Sequence, residues 1–220
     1  MKIVALVPAK GSSKEIPRKN LRLLNGEPLL WYCLTKLKKL DILDIYVSSE
    51  DKEIRDYAES FGVNVIEEPE RIPLYSTKLE ECIEYFLTQV ETDILVLVQP
   101  TSPLFRVEDL GKAIQQFISN LDRLDSMFSV VNTNDILFWN KTDRKAVNYN
   151  PLDRGIRQKR RSDYYIETGA FYLTTKGQFE TSGCRVGGQI GFFEVPFWTY
   201  PQVDSMEDLR MIEKLLREEN

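Results

Sequence analysis

The sequence predicts an α/β protein with a mostly parallel central sheet, and three observations lead there. Residues 3–7 and 94–98 are continuous apolar runs, the pattern of strands buried on both faces. Segments of helical period separate these and other short runs, as in successive βαβ units. Beyond about residue 126 the alternation stops, and short apolar or aromatic segments lie between long polar stretches. That change predicts mixed or antiparallel structure added to the main sheet. The 220 residues suit one domain, or one domain with an inserted lobe.

In chain order, Ile3-Val4-Ala5-Leu6-Val7 is the first strand, followed by a polar loop with Gly and Pro. A helix starts near Pro28, a good first-turn residue, and its stripe is Leu30, Leu34, Leu37 and Leu40. Residues 45–47 form a second strand. Residues 51–61 form a helix that Gly62 terminates, and residues 63–66 a third strand. Residues 78–90 are the clearest helix, with Leu79, Cys82, Ile83, Phe86, Leu87 and Val90 on one face. After strand 94–98, Leu110, Ala113, Ile114, Phe117 and Ile118 mark another helix. The later segments are 127–131, 136–139, 164–172 and 190–195. A last helix carries Leu209, Ile212, Leu215 and Leu216 inward. Asp204 or Ser205 caps it, and Ser205 with Asp208 has capping-box spacing.

Composition narrows the chemistry. The chain has no histidine, which excludes a Ser-His-Asp triad, a Cys-His dyad, a His-ligated zinc and an imidazole proton shuttle. Cys33, Cys82 and Cys184 make no Cys-x-x-Cys motif and read as buried free thiols of a reducing cytoplasm. With 29 basic and 34 acidic residues the net charge is −5, which disfavours a general nucleic-acid binder. The apolar start is short and Lys10 follows it, so no signal peptide is expected. No apolar run approaches the ~20 residues of a membrane span. The expected location is the cytoplasm, with neither membrane nor nucleic acid as a partner.

The first loop carries the strongest signal. Between positions 10 and 22 stand five cations, Lys10, Lys14, Arg18, Lys19 and Arg22, against one acid, Glu15. Ligands of open α/β sheets bind beyond the carboxyl ends of strands, where this loop lies. Gly11, Ser12 and Ser13 let backbone amides approach an anion. Concentrated positive charge on such a loop suits a polyphosphate. Neither GxxxxGK[ST] nor GxGxxG is present, so this is not a Walker or dinucleotide loop.

Residues 7–21, running Val-Pro-Ala-Lys-Gly-Ser-Ser-Lys-Glu-Ile-Pro-Arg-Lys-Asn-Leu, resemble the signature P-A-R-x-x-S-K-x-I-P-x-K-N. It belongs to the acylneuraminate cytidylyltransferases: the synthetases of CMP-sialic acid and relatives acting on other nonulosonic acids and Kdo. Gln99-Pro100-Thr101-Ser102-Pro103-Leu104 resembles the family's second specific motif. Weaker likenesses follow in order at Asn25–Leu30, Val47–Asp51, Arg157-Gln158, Glu167–Tyr172 and Val203–Leu209. Three positions depart from the pattern. Lys10 stands for arginine, Thr168 for asparagine, and Gln202 for an acid two residues before Asp204.

The resemblance implies a Rossmann-like nucleotidyltransferase fold with an inserted dimerisation lobe at about residues 132–165, a homodimer, and Mg²⁺. It implies transfer of CMP from CTP to the anomeric hydroxyl of an acidic sugar. Lys10, Lys14 and Lys19, with the amides of Gly11, Ser12 and Ser13, would hold the triphosphate, and Asn20 the α-phosphate or ribose. Ser76 or Thr77 would contact cytosine or cap the following helix. Asp204 would ligate the metal through carboxylate oxygen, giving Lys10, Lys19 and Asp204 the catalytic roles. The sugar side would be Gln99, Ser102, Arg106, Arg157, Gln158, Thr168 and Gly169. Arg157, within the basic stretch 141–161, is favoured for the sugar carboxylate because of its bidentate geometry. Two other readings stand beside this one. One is a catalytically weak nucleotide- or sugar-binding relative acting as a regulator or partner subunit. The other is a nucleotidyltransferase with a different nucleotide or acceptor.

Overall fold

The computed structural model describes residues 1–13, 15–41, 44–69, 78–133, 136–156 and 163–218. Its elements are β1 (Ile3–Pro8), a 3₁₀ turn at Lys19–Leu21, a small hairpin of β2 (Leu23–Leu24) and β3 (Glu27–Pro28), then α1 (Leu29–Leu37), β4 (Asp44–Ser49), α2 (Lys52–Ser60), β5 (Asn64–Glu67), α3 (Leu79–Gln89), β6 (Ile94–Val98), α4 (Val107–Ile118), β7 (Ser126–Asn132), β8 (Tyr165–Thr175), α5 (Lys176–Ser182), β9 (Ile190–Glu194), a second 3₁₀ turn at Phe197–Thr199, and α6 (Met206–Glu218).

The main sheet has the order β5-β4-β1-β6-β8-β7-β9. β5, β4, β1 and β6 pair in parallel, and so do β7 and β9. β8 alone opposes its neighbours. The sheet is therefore mostly parallel, as the apolar runs predict. Alternate residues of β1 serve two cores, because successive side chains point to opposite faces. Ala5 and Val7 pack with Leu30, Leu34, Ile54, Leu110 and Phe117 of α1, α2 and α4. Val4 and Leu6 pack with Ile83 and Phe86 of α3. A third cluster clamps α6 to the first loop: Ile212 and Leu216 meet Ile16, Leu24 and Leu29.

The chain leaves β1 toward β4 on one side and reaches β6 on the other. The carboxyl ends of β1 and β6 thus border a topological switch point, the place where open α/β sheets bind ligands. The stretch of residues 133–164 lies between β7 and β8. Among its described residues the pairing consists of two isolated bridges, Trp139 with Ala146 and Asn150 with Asp153. The apolar segment 136–139 forms no strand. Residues 176–182 form α5, which the periodicity did not signal. Among the described residues no helix is long and apolar enough to cross a membrane.

Candidate active site

A cleft of about 280 Å³ opens at the switch point. Lys10, Ser12, Ser13, Lys19 and Asn20 wall one side, with Gln99 and Thr101 opposite. Local geometry explains each position. The Ala9 amide donates to the Ser48 carbonyl (2.9 Å), tying the loop to the end of β4. Asn20 donates from Nδ2 to the Lys10 carbonyl (2.8 Å), so the 3₁₀ turn is laced back onto the loop. The Gln99 amide donates to Ala170 (3.0 Å), and the Ser102 amide closes a turn on Gln99 (3.2 Å).

Ser12 Oγ, Asn20 Oδ1 and Thr101 Oγ1 are buried with no hydrogen-bond partner, and all three residues line this cleft. Buried polar atoms are normally paired, so these three are donors and acceptors held ready for a ligand. Ser102 Oγ is also buried and unpartnered.

A second cavity of about 420 Å³ is lined by Glu167, Thr168, Tyr200, Gln202, Asp204 and Asp208, among others. The two cavities meet at an ion pair: Lys19 Nζ lies 3.2 Å from Asp204 Oδ1. The Val203 amide donates to the Thr101 carbonyl (2.7 Å), which seats Asp204 beside the Gln99 turn. Ser205 caps α6. Asp208 Oδ2 accepts from the Ser205 amide and hydroxyl (both 2.8 Å) and from the Asp204 amide (3.2 Å). Those bonds, the Ser205 hydroxyl foremost, hold the Asp208 carboxyl below its ordinary range. Of the two capping candidates, Ser205 takes the role and Asp204 turns toward Lys19.

Several expectations meet a different geometry. The Gly11 and Ser12 amides do not face the cleft ligand-free: both donate to Glu50 Oε1, at 2.9 and 3.3 Å. Thr168 is buried, and its hydroxyl is taken up by Ser129. Its carbonyl accepts from Gln202 Nε2. Gly169 has φ +72°, and a Cβ there would strike the Gln202 amide, so glycine is what admits this approach. Arg106 is not brought to either cavity. It faces Glu108 and Asp109 at 3.9 and 3.8 Å and lines a separate hollow with Lys36, Lys39 and Trp198. A following helix with acids in its first turn explains the pull. Lys14, Ser76, Thr77, Arg157 and Gln158 lie outside the described residues. Cys33 and Cys82 are buried, as expected, but Cys184 is only half-buried; all three are free thiols.

Glu167 is a residue that sequence reasoning missed. It accepts a hydrogen bond from Tyr172. Burial and then that bond push the tyrosine hydroxyl above its ordinary range. Glu50 was equally silent, since its role depends on β4 lying beside β1. For a divalent ion, the donor set offers the Asp204 carboxylate, 68% exposed, with the Gln202 amide oxygen nearby in the same cavity. Asp208 is committed to its cap. Among the described residues no group of three or more carboxylate or thiol ligands gathers. One open carboxylate fits an ion such as Mg²⁺ that takes most of its ligands from water and substrate phosphates.

The chain matches a family model described as cytidylyltransferase over residues 4–182. It is 31% identical to N-acylneuraminate cytidylyltransferase B of Danio rerio, across 87% of this chain and 46% of that protein. It is 24% identical to the pseudaminic acid cytidylyltransferase of Campylobacter jejuni, across 99% of this chain and 97% of the relative. The chain spans a little under half the length of the N-acylneuraminate relatives it matches. A solved CMP:2-keto-3-deoxy-manno-octonic acid synthetase, complexed with CTP, shares the fold with a TM-score of 0.76 at 18% identity, both chains being covered in full. The family match runs from β1 to the end of α5 and so takes in both strand ends that border the cleft. With the first-loop residues assembled there, the chain belongs to the cytidylyltransferase family.

Proposed function

We propose that the chain transfers CMP from CTP to the anomeric hydroxyl of an acidic keto-sugar, sialic acid or another nonulosonic acid, with release of pyrophosphate. One observation carries the reading. A cleft with two lysines and three unpartnered polar atoms meets a carboxylate-bearing cavity at the Lys19–Asp204 pair. The first suits a triphosphate, and the second an acceptor that must lose a proton.

In this reaction the sugar oxygen attacks the α-phosphorus, the bond to the β-phosphate oxygen breaks, and pyrophosphate departs. Negative charge grows on the departing group, so catalysis is mainly positioning and electrostatic stabilisation. Lys10 and Lys19 offset that charge, Ser12 donates to a phosphate, and Asn20 Oδ1 accepts from a ribose hydroxyl. Gln99 presents its amide to the sugar hydroxyls across the cleft. Asp204, at the junction, receives the proton of the attacking hydroxyl and, with the Gln202 oxygen, is the place for Mg²⁺. When bound, that ion supplies neutralisation of triphosphate charge. A second copy of the chain is the proposed partner. Tyr165 and Phe192 lie with ring centroids 5.6 Å apart near the sheet edge, each with about half its surface exposed.

A second reading is binding without turnover. Gln202 favours it, because a neutral amide donating to Thr168 replaces the family's acid and cannot accept a proton. The test is pyrophosphate release from CTP and Mg²⁺ with sialic, legionaminic, pseudaminic and Kdo-type acids, with Gln202→Asp in parallel. Release by the parent with one acid is expected. Release only by Gln202→Asp establishes the second reading. Silence from both, with CTP binding intact, removes the acceptor class proposed here.

A further inference from the structure

The first loop is fastened from behind. Glu50, at the end of β4, accepts both the Gly11 and the Ser12 amide on one oxygen. The cleft is walled by Ser12, Ser13 and Asn20, whereas Gly11 and Glu50 stand outside that wall. Glu50 is itself held. Arg55 Nη1 donates to the Glu50 carbonyl (2.7 Å) and the Ser49 carbonyl (3.0 Å), and Asp51 beside it caps α2 (2.8 and 3.2 Å). Gly11 sits so close that a Cβ would lie 2.8 Å from Asp51 Cγ, so no other residue fits against this support.

Amides bonded to an internal carboxylate are no longer donors for a phosphate. A carboxylate on backbone N–H is a charge-assisted contact of the strength that a phosphate would make there. The second oxygen, Oε2, is buried with no partner, a costly arrangement for a carboxylate. We propose that Glu50 is a positioning residue for nucleotide binding. It fixes the backbone at Gly11-Ser12 so that side chains, not amides, meet the triphosphate: Lys10, Ser12 and Lys19. This rests on the cytidylyltransferase reading of the cleft.

The test uses the whole chain with Glu50→Ala and Glu50→Gln. CTP affinity is measured by calorimetry in magnesium buffer, and amide hydrogen exchange is followed at residues 11–12 without nucleotide. Glu50→Ala is expected to weaken CTP binding about tenfold and to speed exchange at both amides. Glu50→Gln keeps the accepting oxygen, so its affinity is expected within about threefold of the parent, with protection retained. A merely structural glutamate would not give that rescue with a matched pattern of affinity and local exchange. Glu50→Ala binding CTP as tightly as the parent, or more tightly, overturns the proposal, since the carboxylate would then be a bystander or a competitor. Glu50→Gln as weak as Glu50→Ala overturns it too, because charge and not acceptor geometry would matter. A parent chain that binds no CTP overturns the underlying reading, and is told apart by failing before any variant is compared.

Discussion

At the scale of single residues, the three cysteines separate by environment. Cys33 is fully buried, and burial pushes its thiol up to about 12. Cys82 is pushed up to about 12 by burial and then by Glu68, against the opposing pull of Lys10. The thiolate is the reactive form, so both are protected twice, by access and by protonation. Cys184 is half-buried near Glu80, its Sγ 3.9 Å from Oε1. Alkylation of the folded chain at pH 8 is expected to label Cys184 alone, with Cys33 and Cys82 labelled only after unfolding. Peptide mapping checks it, and early labelling of Cys82 would show that its contact with Glu68 opens. The same scale shows what the sequence makes legible. Lys10, Lys19 and Asn20 are recognisable because charge and motif lie in one short run after a strand. Glu50 and Glu167 are not: Glu50 acquires its role from the pairing of β1 with β4, and Glu167 meets Tyr172 of its own strand where β8 shifts register against β7. Arg106 misled for the opposite reason. It belongs to a specific motif, yet the helix it precedes places two acids within its reach.

At the scale of elements, the junction of α6 with the loop shows a cap doing two jobs. Ser205 and Asp208 bond reciprocally: the Asp208 amide donates to Ser205 Oγ (3.2 Å), and the Ser205 amide to Asp208 (2.8 Å). The spacing of the two residues announced that box. The same box orients the backbone that carries Asp204. Asp208 is held below its ordinary range, chiefly by the Ser205 hydroxyl and with a smaller contribution from Lys19. A depressed carboxyl stabilises the fold above its unfolded value of about 3.9, and that contribution is lost as pH falls through the lower folded value. Asp208→Asn is expected to cost about 0.3–1 kcal/mol at pH 7, the worth of a carboxylate in the first turn of a helix. The gap between parent and variant should begin to close below about pH 4 and vanish only after pH has fallen through the lower folded value. Urea titrations of both proteins at several pH values check this, and a gap independent of pH would remove the carboxylate from the account. α5 illustrates the reverse case. Thr175 accepts from the Gln178 amide (3.2 Å) and Gly183 closes the helix with φ +66°. Both end signals stand in the sequence. They are hard to read because seven residues, Lys-Gly-Gln-Phe-Glu-Thr-Ser, give too little apolar period.

At the scale of the whole molecule, the site joins opposite ends of the chain. Lys19 and Asp204 are 185 positions apart and meet at 3.2 Å. The third hydrophobic cluster binds the first loop to α6 through Ile16, Leu24, Val203 and Ile212. The cleft therefore exists only when the parallel core, the opposed β8 and the last helix are all in place. A ligand that binds there binds the native state alone, and its binding free energy adds to global stability. At a hundred times its dissociation constant, CTP is expected to add about 2.7 kcal/mol. In a domain of this size that raises Tm by about 5–10 °C. The shift should appear as one cooperative transition moving as a unit, because both walls of the cleft melt with the sheet. Lys19→Met removes a proposed phosphate contact and the ion pair with Asp204, so it should abolish most of the shift while leaving the nucleotide-free Tm within a few degrees. Differential scanning fluorimetry with CTP, UTP, ATP and GTP at matched concentrations reads all of this at once. A shift with CTP that the other nucleotides fail to reproduce supports cytidine as the base. Equal shifts with all four would mean that the cleft reads the triphosphate and not the base. No shift with any of them would mean that the native chain binds none of these nucleotides at those concentrations.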